Sequence, residues 1–323
     1  MQVDRSTARW SGGGASVSLH RVGIVSDAPG PVVVITGNLH GDETTGLGAA
    51  LRLVERLPSV LRAGQVHVFP SLNPLGLLEQ SRGFGQSGAD LNRCFPGADD
   101  GDLTHRYAHF LWEQLTALRP DVLIDLHADS LESMPYVIVD RPVRQVGEAR
   151  RTLADRLDHL AQATGLTVIR DYPAADYRRY GLDRSLSGAV VNLLGLPALT
   201  IESGPRGALD SEAEQRSEQA VLRLLSTLGL ATSSPAEPLA LPVSGRWCRA
   251  LGPRSRHAGV VRPHWRPGTP FAAGALLATI YDLDGQPVEA IRSSQDGLLV
   301  AWGARSWVRA GQSVATIATR EEP

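Results

Sequence analysis

The chain has 323 residues, of which 42% are hydrophobic and 20% are charged, so its composition excludes a disordered or low-complexity protein. Its 32 basic and 34 acidic residues leave a formal charge of −2, which gives no electrostatic footprint for nucleic acid or for a membrane surface. All of these basic residues are arginines, because the chain contains no lysine. The length exceeds what one ordinary domain needs and predicts two domains.

The cysteine content and the N-terminus indicate where such a chain works. Two cysteines, Cys94 and Cys248, are too few for a disulfide framework, which favours a reducing compartment. The residues after Met1 show neither a basic start nor an apolar stretch, so no signal peptide is visible, and no apolar run is long enough to span a membrane. We therefore expect a cytoplasmic protein with no membrane partner.

The first two thirds of the chain alternate short β-branched runs with helical stretches. In chain order they predict strand 32–36, helix 44–57, strand 66–69, helix 103–118, strands 122–126 and 136–139, helix 144–164, strand 198–201 and helix 211–228. Ser211 and Glu214 predict a capping box at the start of the last helix. This alternation predicts an α/β fold with a mixed, largely parallel sheet flanked by helices.

The last third of the chain has a different character. Residues 231–238 have the composition of a linker. Beyond them, short apolar runs such as 276–280 and 298–302 alternate with turn-forming residues, which predicts a small all-β domain. We place the domains at residues 1–232 and 233–323.

Three predicted strands end in side chains that can bind a metal ion. These are His40 and Glu43 after strand 32–36, His127 after strand 122–126, and Glu202 after strand 198–201. Loops at the carboxyl ends of strands are where open α/β sheets bind ligands. The two imidazoles and Glu43 form a zinc ligand set that leaves a position for water, on which Glu202 would act as general base. Each residue taken singly has a structural explanation, and their convergence favours the site.

A second polar cluster suits a substrate that carries a carboxylate. The adjacent pair Asn92 and Arg93 can grip a carboxylate, with the guanidinium binding in a bidentate manner. Arg82 can polarise a carbonyl and hold the oxyanion that forms when water attacks it. Ion pairing at the surface is the alternative interpretation of both arginines.

Asp125 lies two residues before His127 on the same predicted strand. Both side chains therefore leave the same face of the strand. A carboxylate in this place can accept the N–H of a ligating imidazole and fix its tautomer, or it can cap a loop. We leave both interpretations of Asp125 open.

Together these motifs resemble the succinylglutamate desuccinylase/aspartoacylase family of the zinc carboxypeptidase superfamily. The long interval between Arg82 and Asn92, and Phe95-Pro96-Gly97 after it, look most like the family's N-acetyl-diaminobutyrate deacetylase branch. The matching segments occur in the family's order and are Gly37-Asn38-Leu39-His40-Gly41-Asp42-Glu43, Asp90-Leu91-Asn92-Arg93, Asp125-Leu126-His127 and Thr200-Ile201-Glu202-Ser203-Gly204. The resemblance implies one zinc ion per chain, a Glu base and an Asn-Arg pair that holds the substrate carboxylate. The residues in these roles are His40, Glu43 and His127 as zinc ligands, Glu202 as general base, Asn92 and Arg93 as substrate-binding residues, and Arg82 as the group that assists the scissile carbonyl.

The residues and the resemblance predict a zinc-dependent deacylase that cleaves the amide bond of a small N-acylated amino acid or related carboxylate, using metal-bound water activated by a Glu base. The resemblance implies a zinc carboxypeptidase-like catalytic domain and a C-terminal barrel-sandwich domain. The smaller domain would shield the active site, limit substrate length or contribute contacts of a homo-oligomer. Two alternatives stay open: a zinc carboxypeptidase acting on a short peptide, and a non-catalytic protein that binds a metal or an acyl amino acid.

Overall fold

The computed structural model describes residues 1–85, 88–232, 242–303 and 306–321. Its strands are β1 Gln2–Gly12, β2 Ala15–Val25, β3 Val32–Gly37, β4 Gln65–Phe69, β5 Val122–His127, β6 Glu132–Ser133, β7 Tyr136–Val139, β8 Thr167–Arg170, β9 Ala198–Glu202, β10 Trp247–Ala250, β11 Gly259–Pro263, β12 Pro270–Phe271, β13 Leu276–Tyr281, β14 Pro287–Arg292, β15 Gly297–Trp302, β16 Trp307–Val308 and β17 Ala315–Arg320. Its α-helices are α1 Thr44–Val60, α2 Pro74–Glu79, α3 Leu103–Thr116, α4 Gly147–Ala163, α5 Ala174–Arg179, α6 Leu186–Ala189 and α7 Ser211–Thr227. Shorter helical turns lie at Leu91–Arg93, Leu182–Arg184 and Val190–Leu194.

Most strands belong to one large mixed sheet, in the order β1-β2-β4-β3-β5-β9-β7-β8-β10-β17-β15-β12, with β6 paired to β15. The four central strands β4, β3, β5 and β9 are parallel, whereas β7 is antiparallel to β9. Parallel strands are covered on both faces, which explains the continuous apolar run of Val33, Val34 and Ile35, all fully buried. The predicted mixed sheet is therefore confirmed, with its parallel part at the centre.

Helices α1, α4 and α7 pack together and flank this sheet. The first and last are also joined by an ion pair, in which Nε of Arg52 lies 2.8 Å from Oε2 of Glu218. The predicted capping box at α7 is wrong. Asp210 is the N-cap, and its side chain accepts a hydrogen bond from the backbone N–H of Ala213, so the first turn is capped one residue earlier than expected.

Two parts of the sheet were not predicted from the sequence. Strands β1 and β2 form an antiparallel hairpin at one edge, and β8 pairs with β7 further along. In β1 most residues are exposed, so this strand lacks the alternation of apolar and polar residues that identifies a half-buried strand.

The described C-terminal residues, 242–303 and 306–321, contain strands and no helix, as predicted. Strands β14, β13, β11 and β16 form a second, antiparallel sheet, while β10, β17, β15 and β12 continue the large one. One hydrophobic cluster contains Leu277 and Ile280 of the second sheet and Leu299 and Ile317 of the large sheet, which is the packing of a sandwich. Residues 233–241, which include most of the predicted linker and the proposed domain boundary, lie outside the described residues.

Two further expectations concern cysteines and membranes. Cys94 and Cys248 are both free and buried. Among the described residues, no helix combines the length and the apolar character that crossing a membrane requires.

Candidate active site

The loop after β3 carries the first two predicted metal ligands. His40 lies in this loop, and Glu43 is the residue at the N-cap position of α1; both are buried. Gly41 lets the loop lie against α2, because a Cβ on it would come within 1.9 Å of the backbone carbon of Gly76. The glycine between the two candidate ligands is therefore required by close backbone packing.

The third predicted ligand, His127, ends β5, the parallel neighbour of β3. Glu43 lies between the two imidazoles, with Oε1 2.8 Å from Nδ1 of His40 and Oε2 2.7 Å from Nδ1 of His127. Ligand atoms of the three residues all lie within 4.8 Å of one another. The structure thus brings the predicted set together in a buried position.

A further carboxylate contacts each of the two imidazoles at its Nε2 atom. Nε2 of His127 lies 2.7 Å from Oδ2 of Asp125, and Nε2 of His40 lies 3.1 Å from Oδ1 of Asp90. The hydroxyl of Thr36 donates a hydrogen bond to Asp125 over 2.6 Å. These contacts fix the orientation of both rings and leave Nδ1 of each ring to face Glu43.

The charges of Glu43 and of the imidazoles beside it stabilise one another. Burial alone raises the pKa of Glu43, but the two imidazoles outweigh it and hold that pKa well below its usual range. Burial likewise acts against a charge on His127, yet Asp125 and Glu43 hold the pKa of this imidazole well above its ordinary value. Negative charge concentrated around two imidazoles is an environment that suits a cation.

The donor set fits a divalent metal ion. Two imidazole nitrogens and one carboxylate leave a coordination position for water in zinc hydrolases. Glu202 lies beside this set, since it is opposite His127 in the parallel pairing of β5 with β9. Within the described residues, Oε2 of Glu202 is buried and has no hydrogen-bond partner, as expected for an atom that serves water or a ligand.

The surroundings of Glu202 make its carboxylate more basic than an exposed one. Burial raises its pKa to about 8; the negative charge of Glu43 adds to this shift and His127 opposes it. A carboxylate whose pKa lies near neutral pH accepts a proton more readily than an exposed one.

Two arginines converge on Glu43. Nη1 of Arg82 and Nη2 of Arg206 lie 3.2 Å and 3.3 Å from its Oε1 atom. Arg82 also contacts Asp90 over 3.0 Å, and Nε of Arg206 donates to the carbonyl of Ala128 over 3.2 Å. Arg206 was not predicted; its place in the loop directly after the Glu202 strand was the available signal.

The predicted carboxylate-binding pair lies on the helical turn Leu91–Arg93. The side-chain oxygen of Asn92 accepts a hydrogen bond from the backbone N–H of Leu186 over 2.7 Å, which fixes the turn against α6. Nη1 of Arg93 donates to the carbonyl of Asn92 over 2.7 Å. As far as the described residues go, the amide nitrogen of Asn92 and the remaining guanidinium donors of Arg93 are thus the groups left for a ligand.

Of the site residues predicted from the sequence, all except Asp125 line one small cavity of about 100 Å³. Its wall also contains side chains that sequence reasoning did not single out, several of them charged. They are Asp129, Ile138, Asp140, Asp171, Leu182, Ser185, Thr200, Arg206 and Arg249.

Known proteins are similar to this chain in sequence and in fold. Residues 29–228 match the succinylglutamate desuccinylase/aspartoacylase catalytic domain. The N-alpha-acetyl-L-2,4-diaminobutyric acid deacetylase of Halomonas elongata is 28% identical over 306 residues, which cover 92% of this chain and 84% of that protein.

One solved structure resembles this fold over nearly the whole chain, and another resembles it over a smaller part. A succinylglutamate desuccinylase/aspartoacylase from Rhodobacter sphaeroides superimposes with a TM-score of 0.83 at 22% identity, covering 99% of this chain and 96% of that one. A metallo-carboxypeptidase from Burkholderia cenocepacia gives a TM-score of 0.55 at 19% identity over 71% of this chain and 65% of that one. The predicted carboxypeptidase-like fold is confirmed, and the chain belongs to the succinylglutamate desuccinylase/aspartoacylase family.

Proposed function

We propose that the protein is a zinc-dependent hydrolase that cleaves the amide bond of a small N-acylated amino acid. The observation that carries the proposal is the buried set of His40, Glu43 and His127, with the unpartnered oxygen of Glu202 in the same cavity. A ligand set of two imidazoles and one carboxylate favours zinc, because magnesium and calcium prefer oxygen ligands. We infer one zinc ion per chain.

The chain's own residues divide the chemistry between them. His40, Glu43 and His127 would hold the zinc ion, which would act as a Lewis acid and lower the pKa of a bound water molecule. Glu202 takes the proton of the attacking water at Oε2 and then delivers it to the nitrogen of the leaving amine. Arg82 donates from Nη1 to the oxyanion that develops on the carbonyl.

Recognition of the substrate falls to other residues that line the cavity. Asn92 and Arg93 provide donors for a carboxylate. Asp140 and Asp171, which line the same cavity, suit a substrate that also carries an ammonium group. The name of the Halomonas relative describes such a molecule, so N-alpha-acetyl-L-2,4-diaminobutyrate is the first substrate to test.

The test is metal analysis of the purified protein followed by hydrolysis assays with acetyl, succinyl and aspartyl amides of amino acids. We expect one zinc per chain, release of the free amine from an N-acetyl amino acid, loss of turnover with a chelator and its return with zinc. Steady cleavage of peptides longer than a tripeptide would instead support the carboxypeptidase alternative. A fully metal-loaded protein that turns over no amide would support a binding protein.

A further inference from the structure

A second cavity, of about 410 Å³, adjoins the one that contains the metal ligands. The two cavities share Arg93, Leu182 and Arg249 as wall residues, so these side chains stand where one cavity passes into the other. Arg249 lies on β10 and thus comes from the C-terminal part of the chain. The C-terminal strands therefore contribute a charged side chain to the wall of both cavities.

The guanidinium of Arg249 is largely buried, yet it has few hydrogen-bond partners among the described residues. Its side chain is 20% exposed, and its closest carboxylate oxygen, Oδ1 of Asp171, is 3.7 Å from Nη1, beyond hydrogen-bond distance. That oxygen already accepts the backbone N–H of Tyr172 over 2.8 Å. In the described part of the chain, Nε of Arg249 is buried without a partner. Asp171 thus offsets part of the charge without accepting a hydrogen bond from Nη1.

The ring of Tyr172 restricts the orientation of the Arg249 guanidinium and leaves its N–H groups available for hydrogen bonds. Cζ of Arg249 lies 5.1 Å from the ring centroid of Tyr172, which also lines the second cavity. Stacking on an aromatic face restricts the rotamers of an arginine while its N–H groups stay free at the edge. The donors are therefore held in place for a ligand.

Arg93 is the second guanidinium at this junction. Burial lowers its pKa; the negative charge of Asp90 opposes this shift, and the positive charges of Arg82 and Arg249 add to it. Two partly desolvated guanidiniums that repel each other cost free energy, which an anion between them would recover. A carboxylate has about four acceptor sites and matches the fork of a guanidinium, so it suits this position.

We propose that Arg249 is a substrate-binding residue that, with Arg93, holds the carboxylate of the amino-acid part of the substrate at the junction of the two cavities. The inference rests on the proposed function and adds to it the orientation in which the substrate binds. The scissile amide and the ammonium group then lie in the small cavity that contains the metal ligands, and the carboxylate lies at the junction, facing the larger cavity lined by Tyr172 and Tyr180.

The test compares ligands that do and do not carry the carboxylate. The probes are N-alpha-acetyl-L-2,4-diaminobutyrate and its C-terminal carboxamide for steady-state kinetics, and free L-2,4-diaminobutyrate and its carboxamide for calorimetric binding to the zinc-loaded protein. The variants are Arg249→Gln and Arg249→Lys, the second of which keeps a charge beside Asp171. Arg246→Gln, an exposed arginine just before the same strand, is the matched control.

We expect Arg249→Gln to raise KM and the dissociation constant for the carboxylate ligands by about 10-fold to 100-fold, with kcat and all carboxamide values changed less than about 3-fold. Arg249→Lys should fall between this variant and the unmodified protein, and Arg246→Gln should match the unmodified protein. Equal losses for acid and carboxamide, or no loss for either, would overturn the inference.

The two readouts separate this inference from the proposed function. If the unmodified protein hydrolyses nothing but binds the free amino acid through Arg249, the proposed function fails and the binding role stands. If hydrolysis proceeds and the substitutions of Arg249 do not affect carboxylate ligands, the binding role fails and the proposed function stands. If the unmodified protein binds neither free ligand nor discriminates acid from carboxamide in turnover, the binding role also fails.

Discussion

Asp125 and His127 are joined by a hydrogen bond within β5, in which Oδ2 of the aspartate lies 2.7 Å from Nε2 of the imidazole. Both side chains are buried, so neither loses this partner to water. Of the two interpretations that the sequence leaves open for Asp125, this geometry favours the one in which the carboxylate orients a metal ligand.

Replacement of Asp125 by asparagine should weaken metal binding. The amide keeps the size of the side chain but removes the negative charge that holds the ring, and losses of about 10-fold to 100-fold in metal affinity are typical of such changes. Competition with a chromophoric chelator measures the affinity. Asp155→Asn, on the exposed face of α4, is the control. An affinity equal to that of the unmodified protein would show that Asp125 has only a structural role.

Arg82→Gln should reduce turnover more than substrate binding. In the proposed mechanism its Nη1 donor serves the developing oxyanion, and the loss of one such donor lowers kcat by about 100-fold to 1000-fold. Steady-state kinetics at equal zinc content would measure this effect, with Arg150→Gln on the surface of α4 as the control. A kcat within a few-fold of the unmodified value would assign Arg82 to the ion pairs with Glu43 and Asp90 alone.

His67 should make stability depend on pH away from the active site. Burial lowers the pKa of His67 to about 4, with the positive charge of Arg21 adding to the shift, and its Nδ1 has no partner in the residues described. In the unfolded chain the pKa is about 6.5, so between these values the unfolded state binds more protons. The free energy of unfolding should therefore fall as the pH falls from about 6.5 to about 4, by about 2 kcal/mol after screening.

Urea unfolding of the unmodified protein and of His67→Gln at pH 7.5 and pH 4.5 would measure this contribution. Glutamine stays neutral throughout the range, so the variant should lose less stability on acidification than the unmodified protein. Equal losses in the two proteins would show that His67 does not titrate in this way.

The sequence was most informative where the chemistry is carried by loops that directly follow buried strands. His40, Glu43 and His127 could be predicted because their strands are continuous apolar runs, and the structure places their ligand atoms together. Arg249 could not, because it reaches the cavity through tertiary contacts that leave no local pattern. Arg206 left one signal, its place in the loop directly after the Glu202 strand. Arginine is also the chain's standard surface cation, which makes any single one inconspicuous.

The fold shows the same division between local and long-range information. The central strands were predicted to within one or two residues, since each is buried on both faces. The pairing of β10 with β8, which places Trp247 opposite Ile169, joins the C-terminal strands to the main sheet across a long stretch of chain. No periodicity within either strand encodes that pairing, so the sequence predicted a second domain without its continuity with the first sheet.

The most direct measurement is the zinc content and the turnover of Glu202→Gln, determined on the same preparation. Because Glu202 is proposed to move the proton and the three ligands to hold the metal, the variant should contain as much zinc as the unmodified protein. Its hydrolysis of an N-acetyl amino acid should be about 100-fold to 10,000-fold slower. Full zinc occupancy with undiminished hydrolysis would contradict the proposed mechanism.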